Sequence, residues 1–153
     1  MQDQDVFWRL DGLSDRQLLE RVGSVLGSSR RVMAELIAHL GEVEERRLHL
    51  VAACSSMFAY CLKLGMTEDE AYRRIEVARL ARRYTAIFPL LADGQLTIST
   101  VALLRHHLSE ENHLDLLAMI AGKSVVQTRE LIAARFPRPD VASIVRKLPI
   151  GAR

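Results

Sequence analysis

A histidine-rich stretch, HHLSEENH at residues 106–113, is where this sequence comes closest to a metal site. Its possible ligands are His106, His107, Glu110, Glu111, Asn112 and His113. On one continuous helix, Glu110 and His113 would share a face, as zinc ligands can. Ser109, however, is a typical helix N-cap, which would divide the histidines between two helices. We therefore predict capping and packing roles here, and neither a metal nor another cofactor.

Nucleophilic chemistry finds no support in the sequence. Cys54 and Cys61 are the only cysteines, and both lie in apolar surroundings without a histidine and an acid beside them. A reduced, buried pair is the interpretation that we favour, as is usual for cytoplasmic proteins. No Gly-x-Ser-x-Gly elbow or glycine-rich phosphate loop is present. We predict that the chain is not an enzyme.

Arginine is the third chemically interesting residue, and it is concentrated in LGMTEDEAYRRIEVARLARR at residues 64–83. A helix, a turn with Gly65 and a longer helix have the layout of a DNA-binding helix-turn-helix. Three acids occupy the start of the second helix, where the groove would be read, and its five arginines lie on several faces. Acids first and bases last also match the helix dipole without any ligand. Both interpretations remain open at this point.

The net charge of +2 is unevenly distributed along the 153 residues. Residues 123–153 hold seven basic and two acidic residues, a net charge of +5, whereas the first 122 residues carry −3. A basic end of this kind suits a polyanion or an acidic partner. No run of 18 apolar residues and no signal peptide is present, so we predict a cytoplasmic protein that does not enter the membrane.

Helix signals dominate the rest of the sequence and predict an all-α fold of seven or eight helices with a helix-turn-helix-like core. Ser14 with Gln17, Thr67 with Glu70, and Ser124 with Gln127 form predicted capping boxes. Further predicted caps are Ser55, Ser99 and Ser109, and Gly65 should end the helix before it. We expect a flexible segment at 1–13, a helical domain at 14–136, and an extended basic tail at 137–153.

The first predicted helix has an apolar face of five residues: Leu18, Leu19, Val22, Val25 and Leu26. Gly27-Ser28-Ser29 should break or kink it, and a long amphipathic helix should then run from about residue 30 to 50. These apolar faces raise an alternative function, a protein-interaction module that self-associates. The homodimer would form through residues 14–50, without nucleic-acid binding.

Linked motifs across residues 13–149 resemble the helical N-terminal region of bacterial HNH endonuclease proteins. The matching pieces are SSMFAYC, TEDEAYRRIEVARLARR, ADGQLTIST, LSEEN, AGKS and PRPDV followed by RKLP. Residues 67–132 are more weakly similar to the helix-turn-helix region of ParB-type partition proteins. The first resemblance implies a protein that acts on DNA beside a metal-dependent nuclease domain. No ββα-metal motif occurs here, so no catalytic residue is carried over.

These resemblances favour a non-catalytic DNA-binding domain that accompanies an HNH nuclease domain. The predicted phosphate contacts are Arg73, Arg74, Arg79, Arg82, Arg83, Arg105, Lys123, Arg129, Arg138, Arg146 and Lys147. Tyr72 and Gln95 are possible polar readers of bases. Contacts to phosphate determine affinity and salt dependence rather than sequence preference.

Overall fold

The computed structural model describes residues 9–139, and every helix or strand in that range is an α-helix. The helices are α1 (Asp15–Glu45), α2 (Leu48–Val51), α3 (Met57–Lys63), α4 (Glu68–Arg83), α5 (Ile87–Ala92), α6 (Ile98–Ala102), α7 (His113–Ile120) and α8 (Val125–Arg135). The predicted all-α class is confirmed, with eight helices in the described range. Most of the predicted basic tail, with Arg146 and Lys147, lies outside it, as do residues 1–8. No helix of residues 9–139 is long and apolar enough to cross a bilayer.

The helix caps follow local sequence closely. All three predicted capping boxes form, with both reciprocal hydrogen bonds in each, at Ser14 and Gln17, Thr67 and Glu70, and Ser124 and Gln127. Gly65 takes the left-handed φ of 93° that a helix C-terminus needs and that side chains disfavour. Cap chemistry therefore fixes where α1, α4 and α8 begin.

Several predicted boundaries are wrong. The Gly27-Ser28-Ser29 stretch does not break α1, because an interior glycine costs only about 1 kcal/mol and the helix continues through it. The second long helix ends at Glu45 rather than near residue 50. Just after this end, Arg47 adopts a left-handed φ of 54°, and the short α2 follows it. Residues 30–45 are thus the second half of α1.

Two predicted caps are displaced, and a third forms ahead of its helix. Ser56, not Ser55, caps α3, since its extended backbone lets its hydroxyl accept the Ala59 N–H. Thr97 rather than Ser99 caps α6, which ends at Ala102 instead of reaching His107. Ser109 does form the predicted cap, since its hydroxyl accepts the Asn112 N–H at 3.2 Å and the Asn112 side chain accepts the Ser109 N–H at 2.7 Å. The regular α7 helix begins only after Asn112. In each of the two errors, the capping residue lies close to the predicted one in the chain.

The α4 helix lies at the centre of the fold and packs against α1, α3, α5 and α6. It buries five residues on more than one face: Ala71, Ile75, Val77, Ala78 and Ala81. Small side chains let its neighbours approach closely, and a Cβ at Gly41 of α1 would lie 3.5 Å from the Ala78 carbonyl oxygen. Ile37 and Leu40 of α1 complete this contact. Because its neighbours enclose it, the main role of α4 is to form the core.

The two cysteines are free thiols and both are buried, as predicted. Cys61 lies in the core cluster, where burial raises the pKa of its thiol. The thiolate is the reactive form of cysteine. Cys61 is therefore a packing residue under ordinary conditions.

Candidate nucleic-acid interface

Arg79 of α4 forms a two-pronged ion pair with Glu44 of α1. Its Nη2 lies 2.6 Å from one carboxylate oxygen, and its Nε lies 3.0 Å from each oxygen. The hydrogen bond to Glu44 raises the pKa of Arg79, partly offset by burial. This arginine is committed to an acid on a neighbouring helix.

Arg82 makes a second link between the same two helices. Its Nη1 donates to Glu42 at 2.8 Å, and its Nε lies 3.7 Å from Glu45. Arg46 donates to Glu42 as well, at 2.7 Å. Hydrogen bonds from Arg82 and then Arg46 lower the pKa of Glu42, and that from Glu42 raises the pKa of Arg82.

The earlier arginines of α4 pair within their own helix. Arg73 lies 4.0 Å from Asp69 and donates to the Ser99 hydroxyl at 3.3 Å. Arg74 lies 3.7 Å from Glu70, and only 20% of its side chain is exposed. These pairs link residues four apart, a spacing that places both partners on one helix face.

Arg83 and Arg105 connect α4 with the later part of the chain. Arg83 donates to Glu110 at 3.4 Å and stands 5.1 Å from the centre of the Tyr84 ring. Arg105 donates to Glu76 of α4 at 2.9 Å. All six predicted arginines from 73 to 105 are therefore paired with an acid, and most of these acids lie far away in sequence.

The HHLSEENH stretch is held by hydrogen bonds between its own residues and by ring stacking against α4's C-cap residue, Tyr84. The Asn112 side chain accepts from the Ser109 N–H at 2.7 Å and donates to the His107 carbonyl oxygen at 2.8 Å. His113 stacks on Tyr84 with ring centres 4.9 Å apart. Among residues 9–139, no three His, Cys, Asp or Glu side chains come together as a metal site.

A cleft lies between the turn after α6 and helix α8, with a volume of about 720 Å³. Its lining residues are Ala102, Leu103, Arg105, His106, His107, Arg129, Ile132, Ala133, Phe136 and Arg138. Three arginines and two histidines thus line it, and no acid of residues 9–139 does. We call it the basic cleft.

Two of its arginines differ from those of α4. Within residues 9–139, neither Arg129 nor Arg138 has an ion-pair partner, and the same holds for Lys123 just before α8. Arg105 donates from Nε to His106 Nε2 at 2.7 Å. Because arginine can only donate, His106 Nε2 is the acceptor of this hydrogen bond. His107 stacks on Phe136 with ring centres 4.5 Å apart and forms an apolar wall.

Tyr72 and Gln95, the predicted base readers, belong to different parts of the surface. Tyr72 is 63% exposed and stacks on Phe58 of α3, with ring centres 4.5 Å apart. Gln95 precedes α6, and its carbonyl oxygen accepts the Gly122 N–H at 2.8 Å. Neither residue lines the basic cleft.

The structure therefore divides the predicted arginines of residues 9–139 into two groups. Arg105, Arg129 and Arg138 come together in the basic cleft, whereas the α4 arginines are paired with acids of α1, of α4 itself and of the turn before α7. Sequence reasoning missed His106, His107 and Phe136 as cleft residues, because the aromatic contact joins residues 29 apart. Comparison with family models, with curated proteins and with solved structures finds no match to this chain.

Proposed function

We propose that this chain is a non-catalytic helical domain that binds the phosphate backbone of duplex DNA through the basic cleft. The observation that carries the proposal is that Arg129 and Arg138 line the cleft with neither an ion-pair partner nor a lining acid among residues 9–139. Fixed positive charge concentrated in a concave surface raises the local concentration of a polyanion. Arg129 and Arg138 supply the phosphate contacts in this proposal.

Unpaired arginines are better suited to phosphate than paired ones. An arginine held by a carboxylate must break that pair before it can donate to phosphate, and the freed acid would then repel the DNA. Arg129, Arg138 and Lys123 face no such cost among the described residues. The α4 arginines would add little affinity in this proposal, in which Arg79 and Arg82 serve instead to join α4 to α1.

The position of α4 supports the same choice. A recognition helix must present one long face to the major groove. Helix α4 instead has four packed neighbours and acids in its first turn, Glu68, Asp69 and Glu70. Helix α8 buries only Thr128, so that most of its surface is open to a ligand.

The wider role rests on the resemblance to HNH endonuclease proteins. We propose that the domain delivers a nuclease domain to DNA and performs no catalytic step itself. Its free, buried thiols suit the reducing cytoplasm, where we place the protein. A domain that binds DNA backbone alone would show little sequence preference.

The test is a binding titration on two duplexes of unrelated sequence at several salt concentrations. We expect similar affinities for both duplexes and a linear fall of log K with log salt. Replacing Arg129 by Gln should weaken binding to both and make the slope shallower by about one unit.

A matched control lies on the same helix. Arg135 is exposed on α8, has no ion pair within the described range, and does not line the basic cleft. Arg135→Gln should therefore leave the salt slope nearly unchanged. Binding that is absent at low salt, or equal losses from Arg129→Gln and Arg135→Gln, would refute the proposed site.

A second candidate function is self-association without DNA binding. The exposed apolar side of α1 is the specific observation that favours it. The two functions are compatible, because α1 contributes no residue to the basic cleft.

A further inference from the structure

Most of the first half of α1 projects from the core, and near its end the Arg30 side chain lies over Gly94. All residues from 14 to 32 are exposed except Gly27, which is half-buried, and the first buried residue of the helix is Ala34. Packing against the core cluster begins only at Met33. About 27 Å of helix therefore lies outside the core. We call residues 15–32 the α1 arm.

The arm carries a continuous apolar stripe in place of a polar surface. Its exposed fractions are 38% for Leu18, 73% for Leu19, 58% for Val22, 65% for Val25, 47% for Leu26 and 62% for Val32. Leu18, Val22, Val25, Ser29 and Val32 alternate at spacings of four and three. This is the seam of a heptad repeat, with Leu19 and Leu26 along one side.

A helix of this composition gains little stability on its own. Gly23 and Gly27 disfavour helix, and its β-branched valines are weaker helix formers than alanine or leucine. Short isolated helices are marginal in water, and most helices in proteins are stabilised by packing of an apolar face. The stripe therefore calls for a partner surface of the same length and character.

We propose that the stripe is covered by the same stripe of a second copy, with the two arms antiparallel. The heptad seam aligns when Val22 packs against Val25 of the partner subunit. In that register Leu19 meets Leu26 of the partner subunit, and Leu18 lies opposite the partner's Ser29. Every apolar residue of the central turns then has a counterpart.

The helix dipoles and one seam carboxylate favour the antiparallel orientation. Asp15 occupies a seam position at the start of the arm, seven residues before Val22. Antiparallel arms oppose the two helix dipoles. Parallel arms would instead place the two Asp15 carboxylates at one level of the seam.

The contact is large enough for a reversible dimer. Two helical segments of this length packed side by side bury on the order of 1,000 Å² in total, which approaches the lower end of specific interfaces. Contiguous apolar surface of this extent is uncommon on monomers. A second copy satisfies both arms at once, without any further component.

The first experiment compares Val25→Glu with the control Val126→Glu in the full chain, by light scattering and sedimentation. Val126 is 62% exposed on α8, close to the 65% of Val25, but it is not on the arm. We expect the unchanged chain and Val126→Glu to dimerise. Val25→Glu should weaken dimerisation at least about a hundredfold, because each dimer loses two valine contacts. The proposal would be overturned if the unchanged chain is monomeric, as it would be if residues 1–8 covered the stripe. It would also be overturned if the Val25→Glu chain still dimerises.

The second experiment tests the register and does not depend on the charged variant being folded. Val22→Cys and Val25→Cys chains are oxidised separately and as a mixture. The antiparallel register predicts a disulfide-linked dimer in the mixture and almost none in either variant alone, since only the mixed pair is close enough. Efficient crosslinking of Val22→Cys with itself would indicate parallel arms and overturn the register. No crosslinking in the mixture would overturn the contact.

Discussion

The pair of Arg79 and Glu44 can be used to separate a structural arginine from a DNA-binding one. Its side chains are 61% and 29% exposed, so that solvent screens much of their attraction. Exposed ion pairs contribute about 0.2–1 kcal/mol, and the two-pronged geometry places this one near the upper limit. For a chain of this size, about 1 kcal/mol corresponds to 2–4 °C in melting temperature.

The assay is a double-mutant cycle with Arg79→Ala, Glu44→Ala and both together, followed by urea unfolding at low and high salt. We expect a coupling free energy near 1 kcal/mol that decreases with salt. In DNA titrations, Arg79→Ala should change affinity little, whereas Glu44→Ala should increase it by freeing the arginine. If Arg79→Ala weakens DNA binding as much as Arg129→Gln does, our division of the arginines is wrong.

Three further predictions concern stability. Ile37 is fully buried, so Ile37→Ala should lower the free energy of unfolding by about 2–5 kcal/mol in urea titrations. The pKa of Glu42 is lowered from its usual 4.5 by Arg82 and Arg46, so its stabilising effect is present above pH 4.5 and lost as pH falls through the lowered pKa. Melting temperatures measured against pH should show this loss, and Glu42→Gln should reduce it. Thr67→Ala removes the cap of α4 and should cost about 1 kcal/mol in the same urea titrations, whereas Thr67→Ser should cost little.

Local rules predicted the helical class and the starts of α1, α4 and α8, because a capping box involves residues only three positions apart. The same rules failed where two neighbouring residues could each act as a cap. Ser55 and Ser56 are chemically identical candidates, and only the backbone conformation at Ser56 selects it. Similarly, Gly27 weakens a helix locally but does not determine whether the chain continues through it.

The candidate site was harder to predict, because its logic depends on residues distant in the sequence. Arg79 and Glu44 are 35 residues apart, and nothing in the sequence of either segment indicates that the two side chains form a pair. The arginine-rich helix therefore looked like the main cationic surface, although its charges are matched by acids of its own first turn and of other elements. Arg129 and Arg138 were less conspicuous in the sequence, because what distinguishes them is that no acid of residues 9–139 pairs with them.

The exposure of the α1 arm also has a consequence for how the protein would act on long DNA. In the proposed dimer the arms act as a rigid spacer, and the two cores begin about 28 Å apart along the helix axis. Two binding surfaces held by a stiff spacer are bivalent: once one is bound, the effective concentration of the other depends on whether the DNA can span the gap. Affinity should then increase stepwise with duplex length, and short duplexes should gain nothing from dimerisation.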